Sequence, residues 1–133
     1  MSTASASQKS ILHISKREVL RPIRDQILRL SGYVVNSTFD SAEGLNIFRH
    51  EACDLVLIDV ESVDAIHAAE HLCSAIRTID STQLVAFVCN WRVAVLTDCP
   101  DEILRADFDP AAFVEGVHKV FSSSLHRQPL TAR

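Results

Sequence analysis

Apolar positions along this chain follow two alternating rhythms. Ile11-Leu12-His13-Ile14, Leu55-Val56-Leu57-Ile58 and the nearly all-apolar stretch from Gln83 to Cys89 are short and almost continuous. Runs of that length and character suit strands buried on both faces, as in the middle of a parallel sheet. Between them apolar residues recur at helical spacing: Ile23, Ile27 and Leu30; Leu45 and Phe48; Ala65, Ile66, Ala69, Leu72 and Ile76; Phe113, Val117, Val120 and Phe121. Each set marks the stripe by which a helix is expected to pack on its neighbours.

Turn and cap residues place the boundaries. Pro22 suits only a first turn, so the first helix is expected from about Arg21, and Gly32 ends it. Tyr33-Val34-Val35 opens a second strand that fades through Asn36-Ser37-Thr38. Asp40 caps the next helix, with Glu43 at the reciprocal position. A third helix is expected over 64–78. Trp91 to Leu96 fits either a short helix or more strand, Thr97-Asp98-Cys99-Pro100 is turn chemistry, and Glu102-Ile103-Leu104 is a weak fifth strand. Asp109-Pro110 is an N-cap and first helical residue for the last helix.

Strands alternating with helices predict a parallel sheet covered on both faces. The expected architecture is α/β, a flavodoxin-like doubly wound sheet of five strands, (βα)5, with a shortened or remodelled fourth helix. One domain is expected over 10–122, with a disordered lead over 1–9 and a frayed tail over 123–133.

Composition narrows the class. The chain has 133 residues, enough to bury a core, and a net charge of −4. No basic stripe is available to neutralise phosphates, which argues against nucleic acid. No apolar run is long enough to span a membrane. Residues from Met1 to Gln8 are small and polar, unlike a secretory signal. Cys53, Cys73, Cys89 and Cys99 form no C-x-x-C pair and read as free thiols in a reducing cytoplasm, a disulfide or zinc site being the alternative.

Candidate chemistry centres on Asp59, which follows the most apolar strand. An unpaired buried carboxylate is too costly for a strand interior, so Asp59 belongs at the carboxyl end, where open α/β sheets bind ligands. His67-Ala68-Ala69-Glu70-His71 has two histidines at zinc-binding spacing but no third ligand, and is expected on a solvated helix face. His13 reads as a satisfied core histidine, and His118 as a surface or interface residue. Gly32, Gly44 and Gly116 are too far apart for a nucleotide-binding loop, and no G-x-S-x-G elbow exists.

Three stretches taken together carry a family resemblance: Ser31-Gly32-Tyr33-Val34-Val35, Cys53-Asp54-Leu55-Val56-Leu57-Ile58-Asp59, and Phe108-Asp109-Pro110-Ala111-Ala112-Phe113. In order and spacing they resemble the CheY-like receiver domain of bacterial two-component response regulators, over about residues 10 to 122. The resemblance implies that Asp59 stands at the phosphoacceptor position. It also implies an acidic pair after the first strand to hold Mg²⁺, a Thr or Ser ending the fourth strand, and a Lys ending the fifth.

This chain departs from that set. The acidic-pair positions are Ser15 and Lys16, the Thr/Ser position is Cys89, and the Lys region reads Arg105-Ala106. A lysine ammonium repels a divalent cation, so Lys16 is expected beside Asp59, lowering its carboxyl pKa. The resemblance therefore implies a degenerate, pseudo-receiver module. It would be cytoplasmic and non-enzymatic, bind no metal or other cofactor, and act by protein contact. Mg²⁺ enters only under the alternative, phosphorylation of Asp59 by a histidine kinase. The expected partner is a signalling protein or a second copy, met through the face of the fourth helix, fifth strand and last helix, with Trp91 either a partner anchor or a core cover. A metal or thiol-redox sensor built on His67, His71 or the thiols is a further alternative.

Overall fold

The computed structural model describes residues 8–89, 97–105 and 109–131, with side chains up to 123. Its centre is one sheet of five parallel strands: β1 Ser10–Ile14, β2 Val34–Thr38, β3 Leu55–Val60, β4 Val85–Cys89 and β5 Glu102–Arg105. The strand order is β2-β1-β3-β4-β5. Helices α1 Leu20–Leu30, α2 Ser41–His50, α3 Ile66–Ile79 and α4 Pro110–Thr131 cover it, with a short 3-10 turn, Val63–Ala65, before α3. This is the flavodoxin-like doubly wound sheet. The direction of winding reverses at β1 and β3, and the crevice beyond their carboxyl ends is where such folds place ligands. Asp59 lies there, one residue before the end of β3.

Side chains alternate across each strand and so build two cores. Leu12, Ile14, Val56, Ile58 and Phe87 pack with Phe48 of α2 and with Leu72 and Ile76 of α3. Ile11, Leu55, Leu57 and Val88 pack on the other side with Leu28 of α1 and with Val117 and Val120 of α4. Leu55, Val56 and Leu57 are each 0% exposed, which is why β3 reads as an unbroken apolar run.

Helix α3 buries Ala69, Leu72, Cys73 and Ile76, as its periodicity predicts. Helix α1 does not follow its pattern. The expected inner stripe, Ile23, Ile27 and Leu30, lies largely outside: Ile23 is 49% and Leu30 77% exposed. The inward residues are Arg24, Asp25 and Leu28. The sheet surface beneath α1 carries polar groups, His13 of β1, Ser37 of β2 and Asp59 of β3, and the helix turns its charged pair toward them.

Other corrections are local. At the start of α2, Asp40 accepts from the Ala42 amide as expected, but the Thr38 hydroxyl donates to Glu43, which therefore does not close the reciprocal cap. At Gly44 an added Cβ would stand 2.7 Å from Ile14 Cδ1, so this helix sits close on β1. Gly32 has φ 101°, the left-handed C-terminal position that glycine favours. The last helix continues to Thr131, past the point at which a frayed tail is expected. Cys73 and Cys99 are joined in a disulfide, while Cys53 and Cys89 are free. The expected remodelled fourth helix falls on 90–96, outside the described residues, as do Trp91 and Ala106. Among the described residues, no helix lies between β4 and β5, and no helix is long and apolar enough to cross a membrane.

Candidate functional site: a buried ion network around Asp59

His13 and Asp59 point to the same side of the sheet because each lies an even number of residues from its core neighbours, Ile11 on β1 and Leu57 on β3. His13 is fully buried. Its Nε2 stands 3.1 Å from Asp59 Oδ1, and its Nδ1 stands 2.7 Å from Asp25 Oδ1 on α1. The Ser37 hydroxyl of β2 donates to Asp25 Oδ2 at 2.6 Å. On the far side, Arg24 Nη1 lies 3.3 Å from Asp59 Oδ2. That contact is an ion pair without hydrogen-bond geometry, and Oδ2 accepts no hydrogen bond. The Arg24 guanidinium also lies over the Phe113 ring, 5.1 Å from its centroid, which ties the site to α4.

The arrangement is a chain of alternating charge from Ser37 through Asp25, His13 and Asp59 to Arg24. Burial works against a proton on His13, but the Asp59 charge and the Asp25 hydrogen bond outweigh it and raise its pKa to about 9. Both ring nitrogens then donate, which satisfies both carboxylates. Burial would likewise push the Asp59 carboxyl up. The His13 charge and hydrogen bond, the Arg24 guanidinium and the nearby Ser15 hydroxyl instead hold it below the usual carboxylate range. Asp25 is held low against its own burial by His13, Ser37 and Arg29. With His13 protonated, two carboxylates face two cations and the cluster is neutral.

Magnitudes show why the set is interdependent. At an effective dielectric of about 20, two unit charges roughly 3 Å apart attract with about 5 kcal/mol. Desolvating each ion costs several kcal/mol. The two nearly cancel while every partner is present, and removal of one leaves the penalty uncompensated.

The residues expected at this site take different places. Ser15 is buried beside Asp59, and its hydroxyl accepts from the Arg17 amide at 3.2 Å. Lys16 is exposed, and the expected Lys16–Asp59 pair does not form. The cations on Asp59 are His13 and Arg24, because α1 delivers Arg24 from below, whereas Lys16 sits in the loop after β1. Cys89 is buried at the end of β4, its thiol pushed up by burial although the Arg105 charge draws it down. Arg105 is in register with Cys89. Alternation along β5 places it on the side of Ile103, which packs in the α2–α3 core, opposite the side that carries Asp59. His67 is 90% exposed and 3.7 Å from Glu70. Among the described residues no cluster of three His, Cys, Asp or Glu has metal-binding geometry. His118 is exposed and bonded through Nδ1 to the Tyr33 hydroxyl.

Arg24, Asp25 and Ser37 escaped the sequence reading. A signal for them was present: a histidine inside an otherwise apolar strand needs partners, and two adjacent opposite charges in mid-helix supply them.

Comparison with known proteins agrees with the fold. No family model matches the sequence, and no curated protein matches it. Solved structures do. A CheY-like response regulator receiver domain protein from Methanospirillum hungatei superposes with a TM-score of 0.75 at 20% identity, covering 91% of this chain and 99% of that one. The response regulator protein TrrA from Thermotoga maritima, solved in complex with Mg²⁺–BeF, gives 0.71 at 21% identity, covering 85% and 99%. Chemotaxis protein CheY4 from Vibrio cholerae gives 0.72 at 14% identity, covering 86% and 99%. The chain has the fold of CheY-like receiver domains.

The residues around Asp59 do not fit the Mg²⁺ site that this fold suggests. A hard divalent cation takes oxygen ligands, chiefly carboxylates. Here Asp59 faces an imidazolium and a guanidinium, and Asp25 spends both oxygens on His13 and Ser37.

Proposed function

We propose that this chain is a receiver-like signalling module in which an internal ion network takes the place of Mg²⁺-dependent phosphorylation, and that it acts by contact with another signalling protein. One observation carries this reading: Asp59 has a side chain 3% exposed, with His13 on one oxygen and Arg24 beside the other. A phosphoryl donor needs an open carboxylate oxygen and a metal to neutralise the transferring group. At Asp59 the two cations already neutralise the carboxylate, and the side chain is almost wholly covered. The proposed state is a fixed one, with the charge balance of the site set by the chain itself.

Output by protein contact is supported by the apolar surface that α1 presents. Val19, Ile23 and Leu30 are exposed. Beside them a cavity of about 240 Å³ between α1 and α4 is lined by Leu20, Ile27, Pro110 and Phe113. The partner class is a signalling protein.

Incubation with acetyl phosphate and Mg²⁺, followed by intact mass measurement, tests the phosphorylation claim. No gain of a phosphate is expected. A gain in the wild type that disappears in Asp59→Asn would overturn the reading and restore a working phosphoacceptor.

A further inference from the structure

On the opposite side of the molecule, a cysteine pair sits where the chain turns into β5. Cys73 of α3 is fully buried, and Cys99 lies partly exposed in the segment before β5. Their Cα atoms are 6.3 Å apart, within the range a disulfide spans. The positions are separated by 26 residues, so the bond ties α3 to a distant stretch of chain.

A second set of contacts holds the same segment. From α3, Arg77 Nε and Nη2 donate to the Cys99 carbonyl at 2.9 and 2.6 Å. Arg77 Nη2 also reaches Asp101 Oδ2 at 2.9 Å, and Nη1 reaches the Gln83 carbonyl at 2.7 Å. Asp101 in turn accepts from the Val85 amide and donates its own amide to the Val85 carbonyl. These contacts use Arg77, Asp101 and the backbone, not the sulfurs, and do not depend on the bond. They would hold the two thiols side by side, so that closure is an intramolecular step with a high effective concentration. The fold also has a hydrophobic core on each side of the sheet.

We propose that Cys73 and Cys99 form a reversible thiol–disulfide modification site whose co-substrate is a low-molecular-weight disulfide, and whose state sets how firmly the segment leading into β5 is held to α3. The chemistry is thiol–disulfide exchange. The accessible Cys99 thiolate attacks one sulfur of the small disulfide, forming a mixed disulfide and releasing one equivalent of small thiol. The Cys73 thiolate then attacks Cys99 Sγ, forming the protein disulfide and releasing the second thiol. Two protein thiols are oxidised, one small disulfide is reduced, and the two protons leave with the two thiols released. The buried Cys73 is the resolving partner because a bulky reagent cannot reach it.

The consequence falls on β5, one of the two edge strands of the sheet. All four of its residues are only half-buried, and on its inner side it pairs with β4. An edge strand with only half-buried residues draws part of its order from its attachment points. The bond supplies one such point, beside those made by Arg77 and Asp101. This site stands apart from Asp59 and holds whether or not that carboxylate is ever phosphorylated.

The test is to equilibrate the whole chain in glutathione buffers from fully reducing to fully oxidising, then to map the disulfides and measure amide hydrogen exchange. The Cys73–Cys99 bond is expected to titrate within that series. Exchange over 99–105 is expected to be about tenfold slower in the oxidised form, with β1 and β3 unchanged. Cys73→Ala is expected to accumulate glutathione on Cys99, whereas Cys99→Ser leaves Cys73 unmodified. A pair that stays wholly reduced, or wholly bonded, at every ratio overturns the proposal. So does a titration that leaves exchange over 99–105 unaltered.

Discussion

Helices α1 and α3 obey the same spacing rule and end in opposite orientations. On α3 the apolar residues face a sheet surface made of Val56, Ile58 and Phe87, and Leu72 and Ile76 are buried against it. On α1 the apolar residues Ile23 and Leu30 lie exposed, and Arg24 and Asp25 are buried. The two helices cover opposite faces of one sheet, and those faces differ in their polar content. The α1 face carries His13 and Asp59 among its aliphatic residues. Leaving two ionisable groups buried without partners would cost more than exposing two or three aliphatic side chains, each worth about 1.5–3 kcal/mol when fully buried. The polar content of the receiving surface, and not the helix's own amphipathicity, sets its rotation.

Within the ion network the largest expected effect comes from removing one member. Arg24→Ala is expected to lower stability by about 3–5 kcal/mol in urea unfolding, since it leaves Asp59 short of a counter-charge. A loss of similar size is expected from Leu72→Ala on α3, about 2–5 kcal/mol, through a cavity. The two are told apart by rescue: adding Asp59→Asn restores part of the stability of Arg24→Ala and none of that of Leu72→Ala. If the second change rescues neither, the charged face of α1 is not held by Asp59.

Next in size is a pH effect confined to the α1 side. His13 has its pKa raised from 6.5 to about 9. Its protonation therefore contributes stability that is complete below about pH 6.5 and is lost as pH rises through about 9. The integrated change is about 3 kcal/mol. Asp25 and Asp59 are depressed and act at the other end: their contribution is present above the ordinary carboxylate range and is lost as pH falls through their lowered values. Urea midpoints across this range check the alkaline loss, and the His13 imidazole is expected to remain protonated at neutral pH by NMR. A neutral ring at that pH would remove the ion network as an account of α1.

The smallest effect sharpens the contrast. Ile23→Glu is expected to change stability by no more than about 0.5 kcal/mol, as at an ordinary surface position. The equivalent change at Ile76 of α3, which is fully buried, is expected to unfold the protein. A cost at Ile23 of several kcal/mol would mean that the apolar stripe is covered after all.

Much of the fold was legible because it depends on local pattern. The short apolar runs located β1, β3 and β4, and Asp109-Pro110 located the start of α4. The site was legible only at its centre. Asp59 could be placed at the mouth of β3 from the cost of burying a carboxylate, and His13 could be read as a core histidine. Their partners left only a weak signal, because Arg24, Asp25 and Ser37 are polar residues in elements whose ordinary polar residues face water. Lys16 stands at one of the acidic-pair positions that the resemblance implies and was therefore the natural candidate, yet a loop lysine is free to extend into solvent whereas an arginine on a packed helix is not. The Cys73–Cys99 pair was equally invisible, since it depends on how the segment before β5 returns to α3.

The sequence by itself thus determined which segments become strands and helices, the order in which they alternate, and that an aspartate lies near the carboxyl end of the central strand. Hydrophobic periodicity is enough for that, because it acts within each segment. Only the tertiary structure decided what that aspartate faces. The identity of its counter-ions depends on the rotation of α1, and that rotation is fixed by polar groups on β1, β2 and β3, far apart in the chain and adjacent only once the sheet has formed.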